Sequence, residues 1–201
     1  GFCRAYGEHC RMEEIDEELG AKYRMLGTYI KRFPVCAHLH SALDNLELIR
    51  YEGQILKVRV LTYSVSAEHD NYSPKNEREV KQSLPHTLAI LLKNGEITQK
   101  GIEKSLDDEE IEKLAGKVEI EVDEKMEAMF PYYRPCKVEI WTDRGKYERM
   151  TNLAKGQPED PLSQEEVRKK FKGLAMGKKV EGMMKAIDSL EDIADVGGIL
   201  W

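Results

Sequence analysis

The chain has 201 residues, the length of one or two domains at roughly 100–200 residues each. Its 34% charged and 41% hydrophobic residues are ordinary for a folded globular domain, and no run approaches the roughly 18 apolar residues of a membrane span. The net charge of −6 argues against generic binding to nucleic acid or to an anionic membrane, each of which favours a basic face.

Residues 1–30 are weakly patterned and read as a connector, with a short acidic helix predicted over 13–19 and His9-Cys10 as a chance pair. Lys31-Arg32-Phe33-Pro34 closes that segment, because Pro34 biases Phe33 towards extended backbone. A helix is predicted to begin near 38–41, with Leu39, Leu43, Leu46 and Ile49 on its apolar stripe and Gly53 ending it. Residues 54–64 alternate as a strand, with Leu56, Val58, Val60 and Thr62 on one side. The polar run 65–78, which carries His69 and Asp70, reads as a long loop. Ser83 caps the next helix, with Pro85 in its first turn, Leu84, Leu88, Leu91 and Leu92 on its buried face and Gly95 past its end. Asp107 with Glu110 signals a further helix stopped at Gly116. Residues 117–123 alternate with Val118, Ile120 and Val122 inward, and 136–142 with 146–150 form a hairpin about Asp143-Arg144-Gly145. Ser163 with Glu166 is a capping box that opens the C-terminal helices; Val167, Phe171 and Leu174, then Met176, Met183 and Met184, read as their core side. This order predicts an α+β fold: a mostly antiparallel sheet of about four strands with helices packed on one face over 31–155, and C-terminal helices over 156–201. The four cysteines (Cys3, Cys10, Cys36, Cys136) form no CxxC pair and are too sparse for a disulfide scaffold, so reduced thiols in a cytoplasmic protein are expected.

Residues 31–44 hold the densest set of reactive side chains: Lys31, Arg32, Cys36, His38, His40 and Asp44. One reading is acid–base catalysis on an anionic substrate. His40, near a helix start, has an ordinary pKa of about 6.5 and is the proton-transfer candidate. Lys31, Arg32 and the free N–H groups of the helix start would meet substrate carboxylates. Asp44 lies one turn on and would fix the imidazole, with His38 beside it. A second reading is a metal site of Cys36, His38, His40 and Asp44, although alternate spacing suits a strand and one-turn spacing a helix. A third is structural, in which these side chains cap, pack or face water. His86, in the first turn of its helix, is disfavoured as a cation by the helix dipole. Residues 156–161 lack the glycine spacing and the Lys-Ser/Thr ending of a phosphate loop and read as a turn.

Lys31-Arg32-Phe33-Pro34 followed by His40 and Asp44 resembles the K-x-(Y/F)-P … H … D segment of the MmgE/PrpD family. Ser83-Leu84-Pro85 with Gly95, the run from Lys155-Gly156-Gln157-Pro158 to Pro161-Leu162-Ser163, and Lys170-Phe171 resemble three further family segments in the same order. The resemblance is to the C-terminal portion of longer proteins, and it implies that residues 1–30 lead in from a large helical domain absent here. It implies lyase chemistry on a small di- or tricarboxylate, as in 2-methylcitrate dehydratase, with cis-aconitate decarboxylase and iminodisuccinate epimerase as alternatives. Proton movement next to a carboxylate is the shared theme, with no metal or cofactor required. It matches His40 to a family active-site histidine, sets Lys31 and Arg32 beside it as substrate-binding residues, and adds His86, which stands where many members carry Tyr, as a substrate-binding residue at a position that can face the site. A homodimer or other homo-oligomer is implied, with neither nucleic acid nor membrane as partner. Outside enzymes, the alternative is a non-catalytic α+β binding module.

Overall fold

The computed structural model describes residues 18–175 and 180–193, together with residues 5 and 195. Residues 13–17 of the predicted acidic helix, the His9-Cys10 pair, Cys3 and Met176 lie outside the described residues.

Apolar residues at helical spacing build the first element, α1 (His40–Leu48), which buries Ala42, Leu43 and Leu46 together with the flanking Leu39 and Ile49. The helix stops at Leu48 rather than running to Gly53, because Ile49 turns extended. Gly53 instead turns the chain into the sheet at φ +89°, where a Cβ would sit 2.1 Å from Asp143 Oδ1. That oxygen accepts a 2.7 Å hydrogen bond from the Gln54 N–H.

Strand β1 (Ile55–Thr62) buries Val58, Val60 and Thr62. An irregularity between Ile55 and Lys57 turns Leu56 out to 56% exposure, so Ile55 takes the inward place predicted for Leu56. The predicted loop 65–78 includes most of one single-turn helix, α2 (Ser64–Ala67), and opens another, α3 (Glu77–Val80). Helix α4 (Leu84–Asn94) has the predicted cap: Ser83 Oγ accepts from the His86 N–H at 3.1 Å, and Gly95 is left-handed at φ +72°. Helix α5 (Gln99–Lys104) was not predicted; its one buried apolar residue, Ile102, gives no periodic signal. Helix α6 (Glu109–Ala115) is capped by Asp108, one residue past the predicted Asp107. Strand β2 (Val118–Val122), the short helix α7 (Glu124–Glu127), and the hairpin β3 (Cys136–Thr142) and β4 (Gly145–Thr151) follow.

The sheet order is β2-β1-β3-β4. β1 pairs antiparallel with β3, and β3 with β4, but β1 and β2 are parallel. The sheet is therefore mixed, where a mostly antiparallel one was expected. The helical crossover returns the chain to the end where β1 began, so β2 runs the same way, and side-chain alternation is blind to strand direction. β2 is also an edge strand: Val118 is buried, whereas Val122 is 52% exposed.

The two faces divide cleanly. Val58, Val60, Val118, Val138 and Ile140 join Leu39, Leu43, Leu84, Leu88 and Ile111 in one core beneath the helices. The outer face is a lattice of ion pairs. Arg59 meets Glu121 and Glu139, and Lys137 and Lys146 each bridge Glu139 and Glu148. Helices α8 (Gln164–Leu174) and α9 (Val180–Asp188) close the described chain, tied by Arg168–Asp188 and Lys172–Glu181. The capping box of Ser163 and Glu166 is formed, but neither helix has a fully buried residue. Met183 and Met184 are half-buried, and Val167, Leu174 and Ile187 are exposed.

Candidate functional site

His40 is fully buried. Its Nδ1–H donates to the Cys36 carbonyl at 2.9 Å, and its Nε2 accepts the Phe33 N–H at 3.2 Å. This pairing assigns the tautomer and engages both ring nitrogens. Tyr29 and Phe33 pack on the ring at centroid distances of 5.5 Å. Burial is the main reason its pKa falls to about 4, with the Lys31 charge adding to it and the backbone bonds opposing it. His40 thus staples the turn from Phe33 to Cys36 onto α1 through both ring nitrogens. The imidazole expected to face substrate is therefore enclosed within this chain, with both nitrogens bonded to backbone.

Asp44 makes no hydrogen bond to His40. Its Oδ1 accepts from Arg32 at 3.2 Å and its Oδ2 from the Lys155 N–H at 2.8 Å. Arg32 also donates to Glu47 at 2.9 Å, so the expected carboxylate-binding guanidinium is engaged by two carboxylates of its own chain. These groups line a cleft of about 290 Å³ with Arg149 and Asp160. Below it Gly156, at φ +101°, lets the Ile30 N–H reach its carbonyl at 2.9 Å; a Cβ there would be 2.1 Å from the Ile30 oxygen. His86 lies elsewhere. It is 4% exposed on α4, with Nε2 3.1 Å from Ser105 Oγ and Nδ1 unpartnered among the described residues. Burial keeps it neutral. The alternative metal set does not assemble: among the described residues no group of three or more His, Cys, Asp or Glu is placed to hold an ion.

What the fold gathers instead is a half-open cluster before α1. Leu39 ends the 3-10 turn Ala37–Leu39 and is buried, which leaves Cys36 and His38 partly exposed while His40 points inward. The Cys36 N–H is tied to the Lys81 carbonyl at 2.9 Å, and the His38 carbonyl accepts from Ser66 Oγ of α2 at 3.0 Å. Cys36 Sγ lies 3.2 Å from His69 Nε2. His38 Nδ1 lies 2.7 Å from the Tyr63 hydroxyl, and the His38 and His69 rings are 5.9 Å apart. Phe130 stacks on Tyr63 at 4.6 Å and walls the cluster. Burial raises the Tyr63 phenol well above its ordinary value, so it stays protonated beside His38 Nδ1, and His38 Nε2 makes no hydrogen bond among the described residues. Burial lowers the His38 pKa, and the charges of Arg134, His69 and Lys31 lower it further. This ring is a neutral base at pH 7. Burial pushes the Cys36 thiol up, yet the His69 contact, the His38 N–H and the charges of His69 and Lys31 outweigh it and bring it below the ordinary thiol value.

Two cations serve this cluster. Lys31 is exposed. Arg134 is half-buried and makes no ion pair among the described residues; its Nε is buried without a partner, while its charge reaches His38 and Tyr63. Of the expected site residues, then, the fold brings Lys31 and His38 together and directs His40, Asp44, Arg32 and His86 to other duties. Tyr63 and Arg134 escaped the sequence reading, and His69 entered it only as part of the long polar loop 65–78. They arrive from a strand end, a polar loop and the β3 approach, and no spacing rule links them.

Fold and cluster together define an α+β domain with a mixed sheet and a polar site at the mouth of its first helix. The chain belongs to the MmgE/PrpD family: the model of the MmgE/PrpD C-terminal domain matches residues 33–191. A search of the curated proteins finds no match.

Proposed function

We propose that this domain contributes half of a lyase site acting on a small di- or tricarboxylate, with 2-methylcitrate dehydratase-like dehydration as the leading reaction. The supporting observation is a half-buried guanidinium, Arg134, that lacks a carboxylate partner among the described residues and stands beside a neutral imidazole with a free nitrogen. Removing a proton next to a carboxylate needs a base near the working pH and positive charge to hold the developing anion. In this reading His38 Nδ1–H donates to the Tyr63 oxygen, which orients the ring and leaves the Nε2 lone pair as the base, and Arg134 with Lys31 binds carboxylate. The remaining acid comes from a helical partner domain. A second copy of the chain and a cytoplasmic setting belong to the same proposal. Epimerisation of similar acids begins with the same proton loss, whereas decarboxylation releases CO2 and then protonates carbon; the products separate them.

The test is turnover of 2-methylcitrate, cis-aconitate and iminodisuccinate by the natural protein that carries this chain. His38→Gln is expected to lower kcat about 10²–10⁴-fold. Arg134→Gln is expected to raise KM at least about tenfold, the loss of one charge-assisted contact. Unchanged kinetics in both variants, or no turnover of any such acid, would remove the proposal.

A further inference from the structure

Cys36 and His69 are a second chemical feature of this cluster that proton transfer does not use. The sulfur is half-buried, 3.2 Å from an imidazole nitrogen, and Lys31 lends it positive charge. Both partners are held by backbone bonds: Cys36 by Lys81, and His69 through its N–H to Ser66 at 3.2 Å and its carbonyl from Leu84 at 2.8 Å. The contact is therefore built into the crossover. On its other side His69 lines an open cleft of about 420 Å³ with Asp70, Arg78 and Glu79. The other described cysteine, Cys136, is the internal contrast: it is 1% exposed, and burial holds its thiol far above the ordinary value.

We propose that Cys36, paired with His69, is a nucleophilic thiol that adds covalently to α,β-unsaturated carboxylates. The choice of electrophile rests on the dehydration reading, because loss of water from a hydroxy acid leaves a carbon–carbon double bond conjugated to a carboxylate. In the step, His69 takes the thiol proton and sulfur bonds to the β-carbon. The π pair moves to the α-carbon, which then receives the proton back from His69. The sum is addition of S–H across the double bond to give a thioether, with no oxidant or reductant. Lys31 pairs with the carboxylate and drains charge from the acceptor. The cluster would in this way be capped by accumulated unsaturated product.

The experiment uses the intact chain with two probes, neutral acrylamide and dianionic maleate, and maps the adducts by peptide mass. At pH 7 Cys36 should react with acrylamide at least about tenfold faster than glutathione does, and Cys36→Ser should lose that adduct. His69→Asn should slow the reaction about tenfold and move its pH midpoint up towards the ~8.5 of a free thiol. The maleate-to-acrylamide rate ratio at Cys36 should exceed the ratio for glutathione, and Lys31→Gln, an exposed change, should abolish the excess. A Cys36 rate equal to that of glutathione, or unaltered by His69→Asn, overturns the pairing. An equal maleate-to-acrylamide ratio overturns the ligand class. Turnover without a selective adduct leaves the lyase reading standing alone; a selective adduct without turnover does the reverse.

Discussion

His40 does its work without leaving the neutral state. Its two nitrogens satisfy one backbone donor and one backbone acceptor, so the cost of removal is that of two stranded polar groups plus a cavity. His40→Ala is expected to lower unfolding free energy by about 2–4 kcal/mol in urea melts, and His40→Gln, which offers one donor and one acceptor, by less. The same ring shapes the acid response. Its folded pKa of about 4 lies below the ordinary 6.5, so the unfolded chain binds the extra proton first as pH falls. Its contribution to stability is complete above pH 6.5 and is lost between 6.5 and about 4, on the order of 3 kcal/mol in all. Denaturation midpoints at pH 7 and pH 4.5 should therefore diverge less in His40→Gln than in the parent chain. Residue spacing was enough to single out positions 31–44, but not their roles. Whether His38 or His40 faces inward depends on where a 3-10 turn gives way to α1, a shift of two residues that periodicity does not resolve.

Among the elements, those with local signals were legible. The Ser83 cap, the Gly95 terminus, the Ser163–Glu166 box and the β3–β4 hairpin are all where turn and cap chemistry put them. The short helices α2, α3, α5 and α7 were not, because each spans only four to six residues, too few to show an apolar stripe. The parallel β1–β2 pair was missed for a different reason: direction is a property of the crossover. The turn at Gly156 was read as a stiff connection and is more than that. It touches the lead-in to the site at Ile30 and sits one residue after Lys155, whose N–H anchors Asp44. Gly156→Ala should destabilise the protein by more than about 1 kcal/mol, since both the positive φ and the Ile30 oxygen oppose a Cβ. A thermal melt unchanged by that substitution would show the Ile30–Gly156 contact to be dispensable.

Across the whole molecule, apolar and charged residues are sorted to opposite faces of one sheet, and a candidate site opens where the first helix meets the crossover. The polar face is laced through Glu139, 3% exposed beneath Arg59, Lys137 and Lys146. The sequence revealed the alternation in β1 and β2 but not this convergence, which needs three strands in register. The C-terminal helices are anchored rather than embedded: Lys170 of α8 donates to the Lys31 carbonyl.

The parallel seam also orders events in assembly. β3 and β4 meet across a tight turn and can zip early, whereas β1 must wait for the entire crossover to be synthesised and folded back before β2 lies beside it. His69 rides on that crossover, so thiol and imidazole come into register only once the stretch between positions 36 and 69 has folded back on itself. A nascent or partly unravelled chain consequently carries an ordinary cysteine, and the sulfur becomes distinctive only as that contact forms.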